Sequence, residues 1–177
     1  ALILTVIWQA WSGRDPLRAQ FFLTYALTWI VLGLLLAVAL SSAGPCYYLE
    51  VVGAPSTYDD LMRHLADIDR TRPLLALEIQ EHLWNAYTGE ADFRYEGISA
   101  MPSMHVAMAM LMVLVHWRVN KLAGILAGVF ALLILIGSVM LGWHYAVDGY
   151  VGAALVVPVW WVSGRFLAAF RRTADER

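Results

Sequence analysis

The sequence predicts an all-α, polytopic transmembrane helical bundle with an insertion of amphipathic helices on its outer face. Three observations predict it. The chain is 60% hydrophobic and only 15% charged, whereas a soluble domain has about 45–50% apolar and about 25% charged residues. Its apolar residues gather in long runs divided by short basic turns. The one long polar stretch, 42–101, carries helical rather than alternating periodicity.

A helix needs about 20 apolar residues to cross the hydrocarbon core. Residues 1–11 supply half a span and open in mid-run, which reads as a trimmed N-terminus preceded by further spans. With those included, the core would hold about six helices. Residues 19–41 supply a full span, 103–117 a short one, 121–142 another, and 145–167 a last one that contains Pro158. No basic leader marks a signal peptide. The 177 residues read as a single integral membrane domain.

Basic residues orient these spans. Arg14 and Arg18 follow the first half-span, Arg118 and Lys121 fill the turn after 103–117, and Arg165, Arg171, Arg172 and Arg177 close the chain. The positive-inside rule puts these segments in the cytoplasm. The insertion 42–101, with ten of the fourteen acids, then faces the extracytoplasmic (periplasmic or luminal) side, as does the turn at Gly142–His144. Within the insertion, Leu61, Leu65 and Ile68, then Leu75, Ile79 and Leu83, fall at three- and four-residue spacing. That predicts two amphipathic helices on or near the outer membrane face. Ser56 or Thr57 suits the cap of the first, and Pro73 the first turn of the second. The loop TGEADFRYEG leads back to the next span.

Two polar clusters stand at the outer ends of apolar runs. Pro102, Ser103, Met104 and His105 open one. A proline in the first helical turn, free N–H groups, a serine hydroxyl and an imidazole suit an anion. The same residues also suit a plain helix start. His144 and Asp148 open the other, four residues apart and therefore on one helical face. Asp148 can hydrogen-bond one imidazole nitrogen and leave the other basic. The alternative is an interfacial histidine beside a capping aspartate. A carboxylate at membrane depth favours function.

Together the clusters resemble the type 2 phosphatidic acid phosphatase superfamily, whose second motif reads Pro-Ser-x-His and whose third ends in His, three residues, Asp. The flanks GISAMPSMHVA, LGWHYAVDGYVGA and GPCYY resemble its inositolphosphotransferase-like branch, related to inositol phosphorylceramide synthase. The resemblance runs from about Ser42 to the C-terminus. It implies a lipid phosphatase or phosphotransferase acting on a lipid phosphate or phospholipid, with an alcohol as acceptor in the transferase case. It implies that His144 attacks phosphorus, Asp148 orients it, His105 protonates the leaving oxygen and Ser103 holds phosphoryl oxygens, with no metal or other cofactor.

The chain departs from the family where Gly137-Ser138 replaces a Ser-Arg pair, and where Leu65 stands in place of the first-motif lysine seven residues before Arg72-Pro73. Phosphoryl transfer needs positive charge on the equatorial oxygens. Arg94, nearest the Pro-Ser cluster in sequence, is the first candidate, followed by Arg70 and Arg72. Arg63 reads as a solvated charge.

Rival readings are a metal-dependent hydrolase using two histidines and an aspartate, a Ser103–His144 intramembrane protease, and a non-catalytic channel or assembly subunit. Nothing in the net charge of -2 points to nucleic acid. His64, His82 and His116 read as facing water or the interface. The methionines from Met101 to Met112 read as packing or lipid contact, and Trp143, Trp160 and Trp161 as interfacial or bundle aromatics. The lone Cys46 excludes an internal disulfide.

Overall fold

Hydrophobic spans in water-free surroundings must satisfy every backbone group internally, so they become helices. The structure, a computed structural model, describes residues 1–89 and 99–175, with side chains to 173. Among the described residues the chain is all-helical. Helix α1 (Leu2–Ala10) leads through a short turn into α2 (Asp15–Thr28), which continues as a π-helical segment (Trp29–Leu36) and a last turn, α3 (Ala37–Ala39). Together Asp15–Ala39 form one apolar span. Helices α7 (Met104–Trp117), α8 (Lys121–Met140) and α9 (Ala146–Asp175) complete the bundle. Asp15–Ala39, Lys121–Met140 and Ala146–Thr173 are long and apolar enough to cross a membrane. Helix α7, 14 residues long, is shorter than a full span, as its sequence implied. Leu34, Leu126, Leu133, Val162 and Phe166 are exposed on the outside of the bundle. That is a liability in water and the expected surface in lipid. The protein is an integral membrane protein.

Helix α7 occupies the centre. It packs on α8, α9 and α2, and its Ala107, Met108, Leu111 and Val115 meet Phe21, Leu32, Val156 and Trp160 in the core. Met108 therefore packs in the core, with Met104 against it, one of the two roles expected of these methionines. Pro158 lies inside α9, where its ring removes one hydrogen bond. Two residues on, the Trp160 carbonyl accepts from Gln20 Nε2 at 2.9 Å, which ties α2 to α9 within the membrane. At the opposite end from the two polar clusters, half-buried His116 stacks on Trp8 at 5.3 Å.

The insertion carries a 3-10 turn (Pro45–Tyr47), α4 (Tyr48–Val52), α5 (Asp59–Asp69) and α6 (Leu75–Thr88). The two expected amphipathic helices are α5 and α6, but their starts differ. The N-cap of α5 is Tyr58. Ser56 instead sits just outside, its N–H and hydroxyl donating to Asp59 at 3.1 and 2.9 Å. Pro73 precedes the N-cap of α6, Leu74, whose N–H is held by Asp69. The buried face of α6 also differs. Leu75 and Ile79 are exposed, and the inward side is centred on Gln80. A polar residue marks that face because it bonds the end of α8: Gln80 Nε2 donates to the Leu141 carbonyl at 2.8 Å. Hydrophobic periodicity cannot register such an anchor.

Candidate active site

Both polar clusters fall at one end of the bundle, and the backbone locks them together. Helix α7 begins at Met104 with Ser103 as its N-cap. Pro102 therefore lies before the cap rather than in the first turn, and the Met101–Pro102 peptide is cis. The Ser103 N–H donates to the Asp148 carbonyl at 3.0 Å, tying the start of α7 to the start of α9. Gly152, one turn further along α9, makes this contact possible. A Cβ there would lie 2.6 Å from the Ser103 carbonyl oxygen. On the far side, Ala100 N–H donates to the Ser42 carbonyl and Ser99 Oγ to that of Ala37. The Pro-Ser loop is thus fixed to the ends of two membrane spans.

His144 sits in the turn between α8 and α9, one residue before the N-cap of α9. Its N–H and that of Trp143 donate to the Ser138 carbonyl. Gly142, at φ 73°, gives the turn its left-handed residue. Gly44 and Cys46 dock on this turn: Cys46 N–H donates to the Gly142 carbonyl at 2.9 Å, and a Cβ on Gly44 would lie 2.3 Å from the Trp143 oxygen.

The imidazoles of His105 and His144 lie 6.1 Å apart between ring centroids, close to edge-on. Both line a cavity of about 270 Å3, walled by Gly33 and Ala37 of the first span, by Gly44, Tyr47 and Leu83 of the insertion, and by Ser99, Ala100 and Pro102. The π-helical segment places Gly33 there; local i+5 pairing of this kind recurs at functional sites. His144 is buried and His105 exposed.

The tautomer of His144 follows from its partner. Its Nδ1 lies 2.8 Å from the Ala100 carbonyl oxygen, which can only accept, so Nδ1 carries the proton and Nε2 the free lone pair. The expected Asp148 hydrogen bond is not the one formed. Asp148 Oδ2 lies 3.7 Å from Nδ1 and accepts from the Tyr145 N–H at 2.9 Å. The reason is positional. His144 precedes α9, so the helical four-residue spacing does not apply to it. Asp148 sits in the first turn, where unpaired backbone N–H groups compete for its oxygens. Asp148 therefore caps the helix and faces the imidazole as a nearby charge.

Burial away from water lowers the His144 pKa below the usual 6.5; the Ala100 bond pulls it part of the way back, and the neighbouring His105 adds a smaller downward push. The ring stays neutral into mildly acidic solution. In the unfolded chain it takes up its proton near 6.5. A folded pKa below the unfolded one means that stability falls as pH drops through 6.5, because the unfolded state binds the proton first. Thermal unfolding in detergent between pH 7.5 and 5 should show wild type losing more stability than His144→Asn, which has no ring to protonate. Equal losses would overturn this account.

Ser103 is fully buried and its hydroxyl accepts from Val106 N–H as the helix cap; it does not line the cavity. Arg70 pairs with Asp67 at 3.0 Å on an exposed face of α5. Arg72 is exposed, and neither arginine lines the histidine cavity. Arg94 lies outside the described residues. Among the described residues no group of three or more His, Cys, Asp or Glu side chains is placed to hold a metal ion. Sequence reasoning missed Ala100, whose contribution is a backbone oxygen. It also missed Gly152, although its place one turn beyond Asp148 was a signal.

A membrane-embedded helical bundle with paired imidazoles at one rim, one of them held as a single tautomer, is the architecture of a membrane enzyme site. The chain belongs to the PAP2 superfamily, whose family model matches residues 1–162. The match therefore reaches further towards the N-terminus than the motifs alone implied, and takes in α1 and α2. Membership points to phosphatase or phosphotransferase activity on phosphate esters. No curated protein and no solved structure matches the chain.

Proposed function

We propose that the protein is a lipid phosphatase or phosphotransferase that works through a phosphohistidine on the extracytoplasmic face. The observation that carries this reading is the His105–His144 pair lining one cavity, with Nε2 of His144 left as the lone-pair nitrogen. Nε2 attacks phosphorus as the ester P–O bond breaks, and protonated His105 gives its proton to the departing oxygen. Asp148 offsets the positive charge that the phosphorylated ring acquires. Water, or an alcohol, then attacks the phosphohistidine, and His105 takes the proton that the attacking oxygen loses. No metal or cofactor enters this sequence.

A hydrocarbon tail is supported by a second, apolar cavity of about 320 Å3 that His105 also lines, between Trp29, Met104, Met108, Met112, Phe130 and Ile134. The polar end of a lipid would meet the histidines while its tail stays in the bilayer. Transfer to an alcohol, the chemistry of the inositolphosphotransferase-like branch, is favoured by one observation. The GPCYY segment packs at the site, with Gly44 and Tyr47 in the cavity wall, where they supply surface for an acceptor alcohol.

Purified protein given a panel of lipid phosphates and phospholipids, with EDTA and with or without candidate alcohols, tests the proposal. Release of phosphate from a lipid phosphate in EDTA is the result expected of a phosphatase. Product that forms only with an alcohol present would overturn the phosphatase form and leave the transferase. Loss of all turnover in EDTA would sink the metal-independent mechanism.

The phosphate also needs a cation. We assign that role to Arg94, because it lies nearest in sequence to the Pro102–His105 cluster. Arg94→Ala should lower kcat/KM by about 100-fold, typical of removing one transition-state charge contact. Arg70→Ala should change it by less than about threefold, since an exposed ion pair contributes little. Equal effects in steady-state assays would refute the assignment.

A further inference from the structure

Between Arg18 and Asp59 the chain carries a single charge, Glu50. The first membrane span accounts for this run only as far as Ala39. The remainder holds α4, a helix that the periodicity of the insertion did not announce, followed by Gly53, Ala54 and Pro55. Leu49, Val51 and Val52 of α4 are 52%, 55% and 54% exposed, and Ala54 and Pro55 are exposed beside them. Glu50 turns towards a polar cavity of about 480 Å3 that α4 shares with α5 and α6. At about 100° of rotation per residue, Leu49, Val51 and Val52 cover the remaining arc of the helix.

Two contacts hold the ends of this segment at the level where the spans leave the bilayer. At one end the Cys46 N–H donates to the Gly142 carbonyl. At the other, the Tyr58 ring meets Tyr145 edge-on at 5.3 Å. Gly142 and Tyr145 lie between Met140, where one span ends, and Ala146, where the next begins. Between these anchors, Val51 lines a cavity of about 210 Å3 together with Ser41, Ser42 and Ala43, just past the end of the first span. Val38 and Leu40, immediately before them, are exposed on the outside of the bundle. The apolar surface of α4 therefore continues the lipid-facing surface of the first span. Exposed apolar area of this kind marks a contact with membrane or protein.

We propose that α4 is an interfacial anchor, with Leu49, Val51 and Val52 seated among the lipids of the leaflet at the histidine end and Glu50 turned away from them. Lipid fits better than a second copy or another protein. The patch adjoins a surface that already faces lipid, and its two ends are fixed at the bilayer rim. Three side chains on a helix of five residues fall far short of the roughly 20–30 residues a side that a stable protein interface uses. Tyr48 and Tyr58 flank the patch, as amphipathic rings do at the headgroup level. The anchor also bears on the candidate active site. Tyr47 is the N-cap of α4 and lines the histidine cavity, so seating α4 in the leaflet fixes one wall of that cavity against the bilayer surface. The proposal requires neither catalysis nor a phosphohistidine.

Spin labels on single cysteines test it, in the full chain with Cys46→Ala, reconstituted into phosphatidylcholine vesicles. Labels at Leu49→Cys and Val52→Cys should collide with oxygen in preference to a water-soluble nickel chelate, at a depth of about 5–10 Å in the boundary between headgroups and acyl chains. A label at His64→Cys, exposed on α5, should show the reverse preference. Adding Val51→Asp should move the Val52 label towards water, because a carboxylate resists leaving it. A photoreactive benzoylphenylalanine at Val52 checks the same contact with Cys46 intact, and should crosslink to phospholipid. Labels at Leu49 and Val52 that prefer the nickel chelate would overturn the proposal. So would labels that neither probe reaches, an unchanged depth after Val51→Asp, or crosslinks to a second copy or another protein in place of lipid.

Discussion

His144→Ala should reduce turnover of a phosphate ester by about 10,000-fold or more, the scale seen when a covalent nucleophile is removed. The expectation rests on the Nε2 lone pair, the only group in this reading that bonds phosphorus. Two measurements check it. Steady-state phosphate release should fall to background. An acid-labile, base-stable phosphoryl label, trapped from radiolabelled substrate in wild type, should vanish in the variant. The ring also donates to the Ala100 carbonyl, so its removal leaves one buried acceptor unpaired and costs about 1–3 kcal/mol of stability. His144→Asn, with a side-chain N–H able to meet the same carbonyl, separates the two effects. It should restore thermal stability but not turnover. A His144→Asn protein that still turns over substrate would end the phosphohistidine assignment.

Gly152→Ala should lower activity by about 100-fold, the penalty for displacing a reacting group by roughly an ångström. The added Cβ would lie 2.6 Å from the Ser103 oxygen and 3.4 Å from its carbon. Both atoms belong to backbone, which cannot rotate away. The start of α7 must then move, and His105 with it. Overpacking of this kind costs about 1–3 kcal/mol, more than the helix propensity gained by replacing glycine with alanine. Two neighbours serve as controls. Gly149→Ala would press on Leu135 Cδ1, the end of a side chain that can change rotamer. Gly128→Ala meets nothing within 4 Å. Activity should therefore rank Gly128→Ala, Gly149→Ala, Gly152→Ala in falling order. A Gly152→Ala enzyme with wild-type kcat/KM would show that the contact between α7 and α9 does not position His105.

These variants mark where the sequence was informative. The apolar runs announced the spans within a few residues, because lipid tolerates only long, internally bonded helices. Leu61, Leu65 and Ile68 announced α5 in the same way, all three turned inward to some degree. Helix α6 misled, because its anchor is Gln80 and its Leu75 and Ile79 face outward. The histidines and Asp148 were legible as chemistry out of place beside apolar runs. The caps at Ser56, Pro73 and Pro102 were misplaced by a residue or two, the usual margin for helix ends.

By itself the sequence determined that this is a helical membrane protein with two imidazole-bearing clusters at the rims of its spans. Composition and periodicity act along the chain, and each span must solve its own hydrogen-bonding problem in lipid. Only the tertiary structure decided that the rings stand 6.1 Å apart and that Ala100, rather than Asp148, fixes the tautomer of His144. It also decided that Arg70 and Arg72 stay away from the cavity while Gly152 admits the Ser103 backbone. These outcomes depend on backbone oxygens and on the closeness of packed helices. A carbonyl is the same atom in every residue, and the distance between two helices is set by both, so neither is written at any one position of the chain.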